Sequence, residues 1–108
     1  MCTAGITLAV ALASLFLDRA ARSDVAMTGE LTLRGHVLPI GGVKEKLLAA
    51  HAAGVKRVIV PRRNLRDIEA EVPASVRGAV EVVGVQRIEE VLAAAFDPPL
   101  ALAQPARL

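Results

Sequence analysis

Apolar side chains recur along the first forty residues of the 108-residue chain in two different patterns. An almost uninterrupted apolar run, Ala4–Leu17, is typical of a helix that is buried on several sides. Residues Val25–Leu33 instead alternate between apolar and polar side chains, as in a strand with one face in the core. Val37–Ile40 follows as the returning strand after a two-residue turn at Arg34-Gly35, so this part of the chain predicts a β-hairpin.

The remainder of the chain alternates between helical and strand-like patterns. The predicted elements are a helix over Gly41–Ala53, a strand over Arg57–Pro61, a helix over Leu65–Val72 that Pro73 stops, a strand over Val80–Val85 and a final helix from Ile88 to Phe96. Asn64 stands at the N-cap position of the second of these helices, with Asp67 three residues on. Because helices alternate with strands, we expect βαβ-type crossovers with parallel pairing. The pattern therefore predicts an α/β (α+β) fold, with helices packed on a small mixed sheet.

Composition limits the core and the partners. Hydrophobic residues make up 54% of the chain and aromatic residues only 2%, so the core must consist of Ala, Val, Leu and Ile. The net charge of +2 comes from interspersed signs without a basic run, and we therefore predict no nucleic-acid partner. The single cysteine, Cys2, excludes an internal disulfide framework and a cysteine zinc site. This cysteine usage is consistent with a reducing compartment, and we expect a cytoplasmic location.

The apolar run Ile6–Leu17 was weighed as a targeting or membrane segment. Its twelve residues are too few to span a bilayer. A signal peptide would begin with a basic segment, and Met1–Gly5 carries no charged side chain. We therefore expect a buried helix and no membrane partner, with a signal-like segment as the alternative.

A lysine pair stands in the first turn of the predicted Gly41–Ala53 helix. On a helical wheel, Lys46 falls at the inner edge of the apolar face, whereas Lys44 and Glu45 can point to water. Burial and the positive end of a helix both lower a lysine pKa, which is how a lysine becomes a general base near neutral pH. The alternative is that Lys46 extends its ammonium group to solvent over an apolar stem.

The chain contains neither the G-x-S-x-G motif that presents a nucleophilic serine nor the P-loop motif that binds phosphate. Thr3 precedes the first predicted helix, where unpaired backbone N–H groups could stabilise an oxyanion. A hydroxyl at this point and a neutral lysine would form a dyad in which the lysine takes the proton from the nucleophile. The alternative role of Thr3 is an ordinary N-cap. The two histidines, His36 and His51, have no metal-ligand spacing, and we predict no metal site.

Several motifs of the chain together resemble the proteolytic domain of Lon proteases. They are Thr3-Ala4-Gly5-Ile6, Met27-Thr28-Gly29-Glu30-Leu31-Thr32-Leu33-Arg34-Gly35, Val37-Leu38-Pro39-Ile40-Gly41-Gly42-Val43-Lys44-Glu45-Lys46 and Val58–Pro61. The resemblance extends from about Thr3 to Phe96. It implies that residues 1–98 form a partial Lon-like proteolytic domain, whose family members carry further strands before the serine. Residues 99–108 are expected to form a flexible C-terminal tail.

The resemblance also assigns roles to individual residues. The family uses a Ser–Lys dyad, and its lysine matches the second lysine of G-G-x-K-E-K, here Lys46. Its serine stands in G-P-S-A-G, 43 residues earlier, where this chain has Thr3 in Met1-Cys2-Thr3-Ala4-Gly5. Thr28 matches a threonine beside the catalytic lysine, and the alternative is a strand threonine paired across the sheet. Glu30 is left open between the rim of the site and a solvated strand position.

The activity that this resemblance implies is endopeptidase cleavage of unfolded or damaged proteins. Family members form a homo-oligomer, a hexameric ring, and couple proteolysis to an ATPase module, so ATP and Mg would bind outside this chain and no cofactor is expected within it. Strands absent before Thr3 would leave a sheet edge and apolar surface uncovered, which predicts marginal solubility or obligate association. The alternative function is a catalytically inactive Lon-like fragment that serves only in assembly or binding. This alternative arises because the β-methyl group of Thr3 restricts its χ1 angle in a close-packed site.

Overall fold

The computed structural model of the chain describes residues 5–18 and 20–96. Thr3 and the predicted tail at 99–108 lie outside these described residues. The helices are α1 (Gly5–Leu17), α2 (Val43–Ala52), α3 (Leu65–Glu71), α4 (Ala74–Ala79) and α5 (Ile88–Ala95), and the strands are β1 (Val25–Met27), β2 (Glu30–Leu31), β3 (Val37–Leu38), β4 (Arg57–Pro61) and β5 (Glu81–Val85). The mixed α/β fold expected from the sequence is confirmed.

Three strands form a parallel sheet with β4 at its centre. The order is β1-β4-β5, with Val25 opposite Arg57 and Val58 opposite Val82. The predicted parallel pairing is therefore confirmed for β4 and β5. The apolar run of β4 is buried, as expected for a strand that has neighbours on both edges and helices on both faces.

The β4 side chains divide the core into two layers because successive residues of a strand point to opposite faces. Val58 and Val60 pack with α2, α3 and α4 on one face, in a cluster that includes Leu47 and Ile68. Ile59 packs on the other face with residues of α1 and α5. The buried residues of this second cluster include Ile6, Val10, Val85, Val91 and Phe96.

The prediction of one continuous strand over Val25–Leu33 is wrong. The chain breaks at Thr28-Gly29, where the Thr28 N–H donates to the Ile59 carbonyl at 3.0 Å and Gly29 takes φ 149°. A Cβ at Gly29 would lie 3.0 Å from Val37 Cγ1. As a result β1 joins the parallel sheet, and only β2 pairs with β3 in the hairpin. The alternation of apolar side chains continues through the break, so it gave no sign of the change of partner.

The hairpin turn also differs from the predicted two-residue turn at Arg34-Gly35. The Thr32 N–H donates to the His36 carbonyl at 2.9 Å, which leaves a three-residue loop over Leu33–Gly35. Gly35 has φ 83°, so the expected positive φ at this glycine is confirmed.

Helix α4 is not predicted by the sequence pattern. Helix α3 ends at Glu71, and Val72 is extended before Pro73, as the proline requires. Six residues then form α4, of which Val76 is buried against the core. A segment of this length that contains Gly78 has too few turns to show a helical period.

Helix α1 is the element whose surroundings were predicted wrongly. The sequence predicted burial on several sides, whereas only Ile6 and Val10 of α1 are buried. Leu15 and Phe16 are 81% and 90% exposed, because α1 packs against α5 and β2 along one side alone. We call Leu8, Leu12, Leu15 and Phe16 the α1 apolar face. Within residues 5–18 and 20–96, no helix combines the length and apolarity needed to cross a bilayer.

We expect Gly5→Ala and Gly78→Ala to change stability in opposite directions. A Cβ at Gly5 would lie 2.8 Å from the Leu31 backbone nitrogen, and this overpacking should cost about 1–3 kcal/mol. A Cβ at Gly78 in α4 would meet no atom within 4 Å, so alanine there should gain about 0.5–1 kcal/mol. Urea unfolding followed by circular dichroism measures both changes. Equal shifts in the same direction would contradict the close approach of α1 to β2.

Candidate active site

The lysine helix α2 begins at a glycine turn. Gly42 is its N-cap residue and has φ 70°, a left-handed conformation that disfavours a residue with a Cβ. The Lys46 N–H donates to the Gly42 carbonyl at 3.3 Å, so Lys46 lies in the first turn of the helix. Val43 and Leu47 are buried and fix the rotation of α2 about its axis.

The side chain of Lys46 is exposed, and that of Lys44 is half-buried. The expectation that Lys46 leans towards the core is therefore wrong, and its exposure agrees with the alternative in which the ammonium group extends to solvent. Of the apolar face that the helical wheel predicts, Val43, Leu47 and Ala50 are buried and Gly54 is exposed. Fewer side chains of α2 are buried than the helical wheel predicts, since α2 packs on α3, α4 and β4 with one side only. No side-chain hydrogen bond or ion pair joins Lys46 to another residue in the described part of the chain.

Thr28 lies directly after β1, at the carboxyl end of the parallel sheet. It is only 8% exposed, and its N–H extends the pairing with β4 through the Ile59 carbonyl. The alternative of a threonine paired across the sheet agrees with this backbone bond to β4, whereas the pairing of the hairpin begins only at Glu30. The carboxyl ends of parallel strands are where ligand sites form in open α/β sheets. Thr28 therefore lies at the edge where a site is expected.

The start of α1 is packed against the same edge. The Ile6 N–H donates to the Gly29 carbonyl at 3.4 Å, and Gly5 lies so close to Leu31 that no side chain fits between them. These contacts hold the chain beside the segment that follows Thr28. Thr3 itself lies outside the described residues, so its distance from Lys46 is not part of this geometry.

Glu30 is an exposed residue of β2, opposite Leu38 in the hairpin. Within residues 5–18 and 20–96 its carboxylate forms no ion pair. The structure does not bring it to Lys46 or Thr28 through any hydrogen bond.

Asn64, at the same edge, occupies the N-cap position of α3 predicted for it but does not use its side chain as a cap. The side-chain amide instead binds the backbone of Ile40, two residues before the Gly42 turn. An asparagine before a helix is usually a cap, and the sequence contains no signal that distinguishes this longer-range contact.

A metal centre has no basis in the described residues, which contain no cluster of three His, Cys, Asp or Glu side chains. His51 is exposed on α2. His36 contacts Arg87, with 3.0 Å between His36 Nε2 and Arg87 Nη1, near the hairpin turn.

Comparison with known proteins identifies the family. Residues 2–98 match the family described as the Lon protease (S16) C-terminal proteolytic domain. The chain is 60% identical over 95 residues to "Lon protease homolog 2, peroxisomal" of Bos taurus, 59% to that of Oryza sativa subsp. indica and 58% to that of Homo sapiens. Each alignment covers 88% of this chain and 11% of the relative, so the chain spans about a ninth of the length of these proteins.

These relatives also correct the predicted location. All three are named as peroxisomal proteins, and the cytoplasmic location expected from the sequence is therefore wrong. A single cysteine indicated only a reducing environment and could not distinguish between compartments.

The motifs at the glycine turn, the fold and the match over residues 2–98 lead to one conclusion. The chain belongs to the Lon protease family, corresponds to its C-terminal proteolytic domain and is by family a peptidase.

Proposed function

We propose that this domain hydrolyses peptide bonds of unfolded or damaged proteins through Thr3 as nucleophile and Lys46 as general base. The observation that supports this most directly is the 43-residue spacing between the two, with Lys46 in an intact G-G-x-K-E-K motif. The family match spans both positions. Cys2, which precedes the hydroxyl, has no counterpart role in the proposal.

In the proposed reaction, the neutral amine of Lys46 takes the proton of the Thr3 hydroxyl as the oxygen attacks the peptide carbonyl. Backbone N–H groups at the start of α1, other than that of Ile6, which donates to the Gly29 carbonyl, are proposed to stabilise the oxyanion, since the first turn of a helix leaves its N–H groups without intrahelical partners. The Lys46 ammonium then protonates the leaving amine, and water hydrolyses the acyl ester. Lys46 is exposed in the isolated chain, so bound substrate or a neighbouring subunit has to exclude water from it.

Thr28 has a supporting role in this proposal. It is buried at the sheet edge, and its hydroxyl forms no hydrogen bond with another described residue. A hydroxyl that is held rigidly and has acceptor capacity can orient a lysine amine. Glu30, on the exposed strand beyond it, is assigned to the rim of the site.

The domain is proposed to act within a larger assembly. The relatives are about eight times as long as this chain, which leaves room for an ATPase module that would bind ATP and Mg. The exposed α1 apolar face is consistent with a homo-oligomer. From the names of the relatives we also infer that the assembly works in peroxisomes.

A second candidate function is a catalytically inactive fragment that contributes only to assembly or binding. Two observations favour it: Lys46 is exposed and unconnected to Thr28, and the residue at the nucleophile position is a threonine. Family members place serine at this position.

The dyad is tested by hydrolysis of a fluorogenic peptide by the chain and its Thr3→Ser and Lys46→Ala variants. We expect Thr3→Ser to raise kcat, because removal of the β-methyl frees the hydroxyl rotamer, and Lys46→Ala to abolish turnover. Lys44→Ala is the matched control and should retain activity. Absence of turnover in every folded variant would refute the endopeptidase proposal and favour the inactive fragment.

The supporting role of Thr28 predicts different effects for two substitutions. Thr28→Val removes the hydroxyl and should lower kcat by about 10-fold or more through misplacement of the amine, with little change in KM. Thr28→Ser keeps the hydroxyl and should retain most of the activity. Equal kcat values in the valine variant and the parent chain would exclude this role for Thr28.

Association of the chain is expected to depend on α1. Leu15→Glu with Phe16→Glu places two charges on the α1 apolar face and should shift sedimentation velocity profiles towards the monomer. Leu33→Glu is the control, since Leu33 is a fully exposed leucine in the hairpin loop. A monomeric parent chain, or an equal effect of both substitutions, would contradict the proposal.

A further inference from the structure

We propose that Asn64 is a positioning residue, which holds the turn before α2 and thereby sets the placement of Lys46. This inference rests on the proposed function for its catalytic consequence. Its structural basis is independent, and lies in the contacts between the end of β4 and the segment Pro39–Gly42.

The side-chain amide of Asn64 binds both backbone groups of Ile40. The Ile40 N–H donates to Asn64 Oδ1 at 3.0 Å, and Asn64 Nδ2 donates to the Ile40 carbonyl at 2.9 Å. Asn64 is 2% exposed and Ile40 is half-buried, so both bonds are shielded from water on the Asn64 side. A buried polar group that loses its partner bears the full cost of desolvation, which makes this two-point contact hard to replace.

The segment between Ile40 and α2 has little else to fix its path. Gly41 and Gly42 are exposed and have no side chains, and Pro39 before them is exposed as well. A Cβ at Gly41 would meet no atom within 4 Å. The direction in which the chain enters α2 is therefore set on one side by the amide of Asn64 and on the other by the buried Val43.

Asp67 fixes which way round the Asn64 amide lies. Asn64 Nδ2 also donates to Asp67 Oδ2 at 3.1 Å, and an ionised carboxylate can only accept hydrogen bonds. The NH₂ group must therefore face Asp67 and the Ile40 carbonyl, which leaves Oδ1 for the Ile40 N–H. An aspartate at position 64 could accept from Ile40 but could not donate to either oxygen.

The role explains why Asn64 stands where it does. It belongs to the 3-10 turn Arg62–Asn64, directly after the central strand β4. Asn64 is joined to the buried strand β4, and its bonds to Ile40 therefore tie the start of the lysine helix to the end of that strand. Lys46, six residues after Ile40, is then placed relative to the carboxyl edge of the sheet that contains Thr28.

The first experiment measures amide hydrogen exchange of Ile40 by NMR in the full chain, for Asn64→Ala and Asn64→Asp. Val76→Ala is the control, because it removes buried apolar atoms from the core cluster that contains Val58 and Val60 of β4 and leaves the Asn64 amide in place. We expect Ile40 exchange to rise by about 10-fold or more in Asn64→Ala, relative to the amides of β4, and to rise less in Asn64→Asp, whose carboxylate still accepts from the Ile40 N–H. In the control, exchange at Ile40 and in β4 should rise together. A ratio that does not change in the Asn64 variants would overturn the anchoring.

The second experiment follows the placement of Lys46 through the Cε resonances of ¹³C-labelled lysines, with Lys56 as internal reference. We expect the Lys46 resonance to move in both Asn64 variants and to stay in place in Val76→Ala. If the chain hydrolyses peptides, kcat should fall by about 10-fold with KM nearly unchanged. Faster exchange at Ile40 with an unmoved Lys46 resonance would overturn the positioning role.

Two further variants keep the outcomes separate. If the Asn64 variants fail to fold, Asp67→Ala removes the acceptor that orients the Asn64 amide, and faster Ile40 exchange in that variant supports the proposal whereas unchanged exchange overturns it. If Lys46→Ala leaves peptide hydrolysis intact, the dyad is refuted while the exchange and resonance data still decide on Asn64.

Discussion

The buried strand β4 is the constraint on which the rest of this structure depends. Its side chains alternate between two apolar layers, with Val58 and Val60 facing one and Ile59 the other. Both neighbouring strands pair with it in parallel, which requires helical crossovers and so dictates where the helices pack. A polar side chain in place of Val58, Ile59 or Val60 would bury a polar group without a hydrogen-bond partner in one of the two apolar layers, and this would destabilise the fold.

The carboxyl edge of that sheet collects the residues of the candidate site by simple topology. Thr28 follows β1, Asn64 follows β4, and the start of α1 is held against Gly29. These groups come from three separate parts of the chain, and Thr28 and Asn64 lie outside the α-helices. The edge is where short loops can place polar groups without loss of apolar burial, which is the general reason for sites at this location.

The positions of the helices and strands are predicted from the sequence more accurately than the burial and the pairing partners of these elements. The helix over α2 follows from its glycine turn and apolar face, the strand over β4 follows from a short run of β-branched residues, and Gly35 takes the positive φ that its turn suggested. The break at Thr28-Gly29 was missed because alternation shows which side chains face inward but not which strand is the partner. Likewise, the apolar run of α1 correctly predicted a helix, but composition alone could not show which of its sides would be covered.

For the site, family motifs supplied more than physical pattern did. The helical wheel placed Lys46 at an apolar edge, whereas the structure exposes it, because the wheel gives direction but not the width of the contact. Asn64 was assigned to the nearest helix, since a single sequence favours local partners over a backbone group 24 residues away. A role that depends on a long-range contact is seen only in the three-dimensional structure, whereas a role inferred from a family is recognised by its sequence motif.

The two-layer core has a mechanical consequence for the proposed chemistry. The α1 end of the site belongs to one layer and the lysine helix α2 to the other, with the sheet between them. A small sliding of one helix layer over the sheet would change the gap between hydroxyl and amine while each core kept its own packing. A displacement of α1 would therefore alter the distance between the two groups without disturbing the packing around α2.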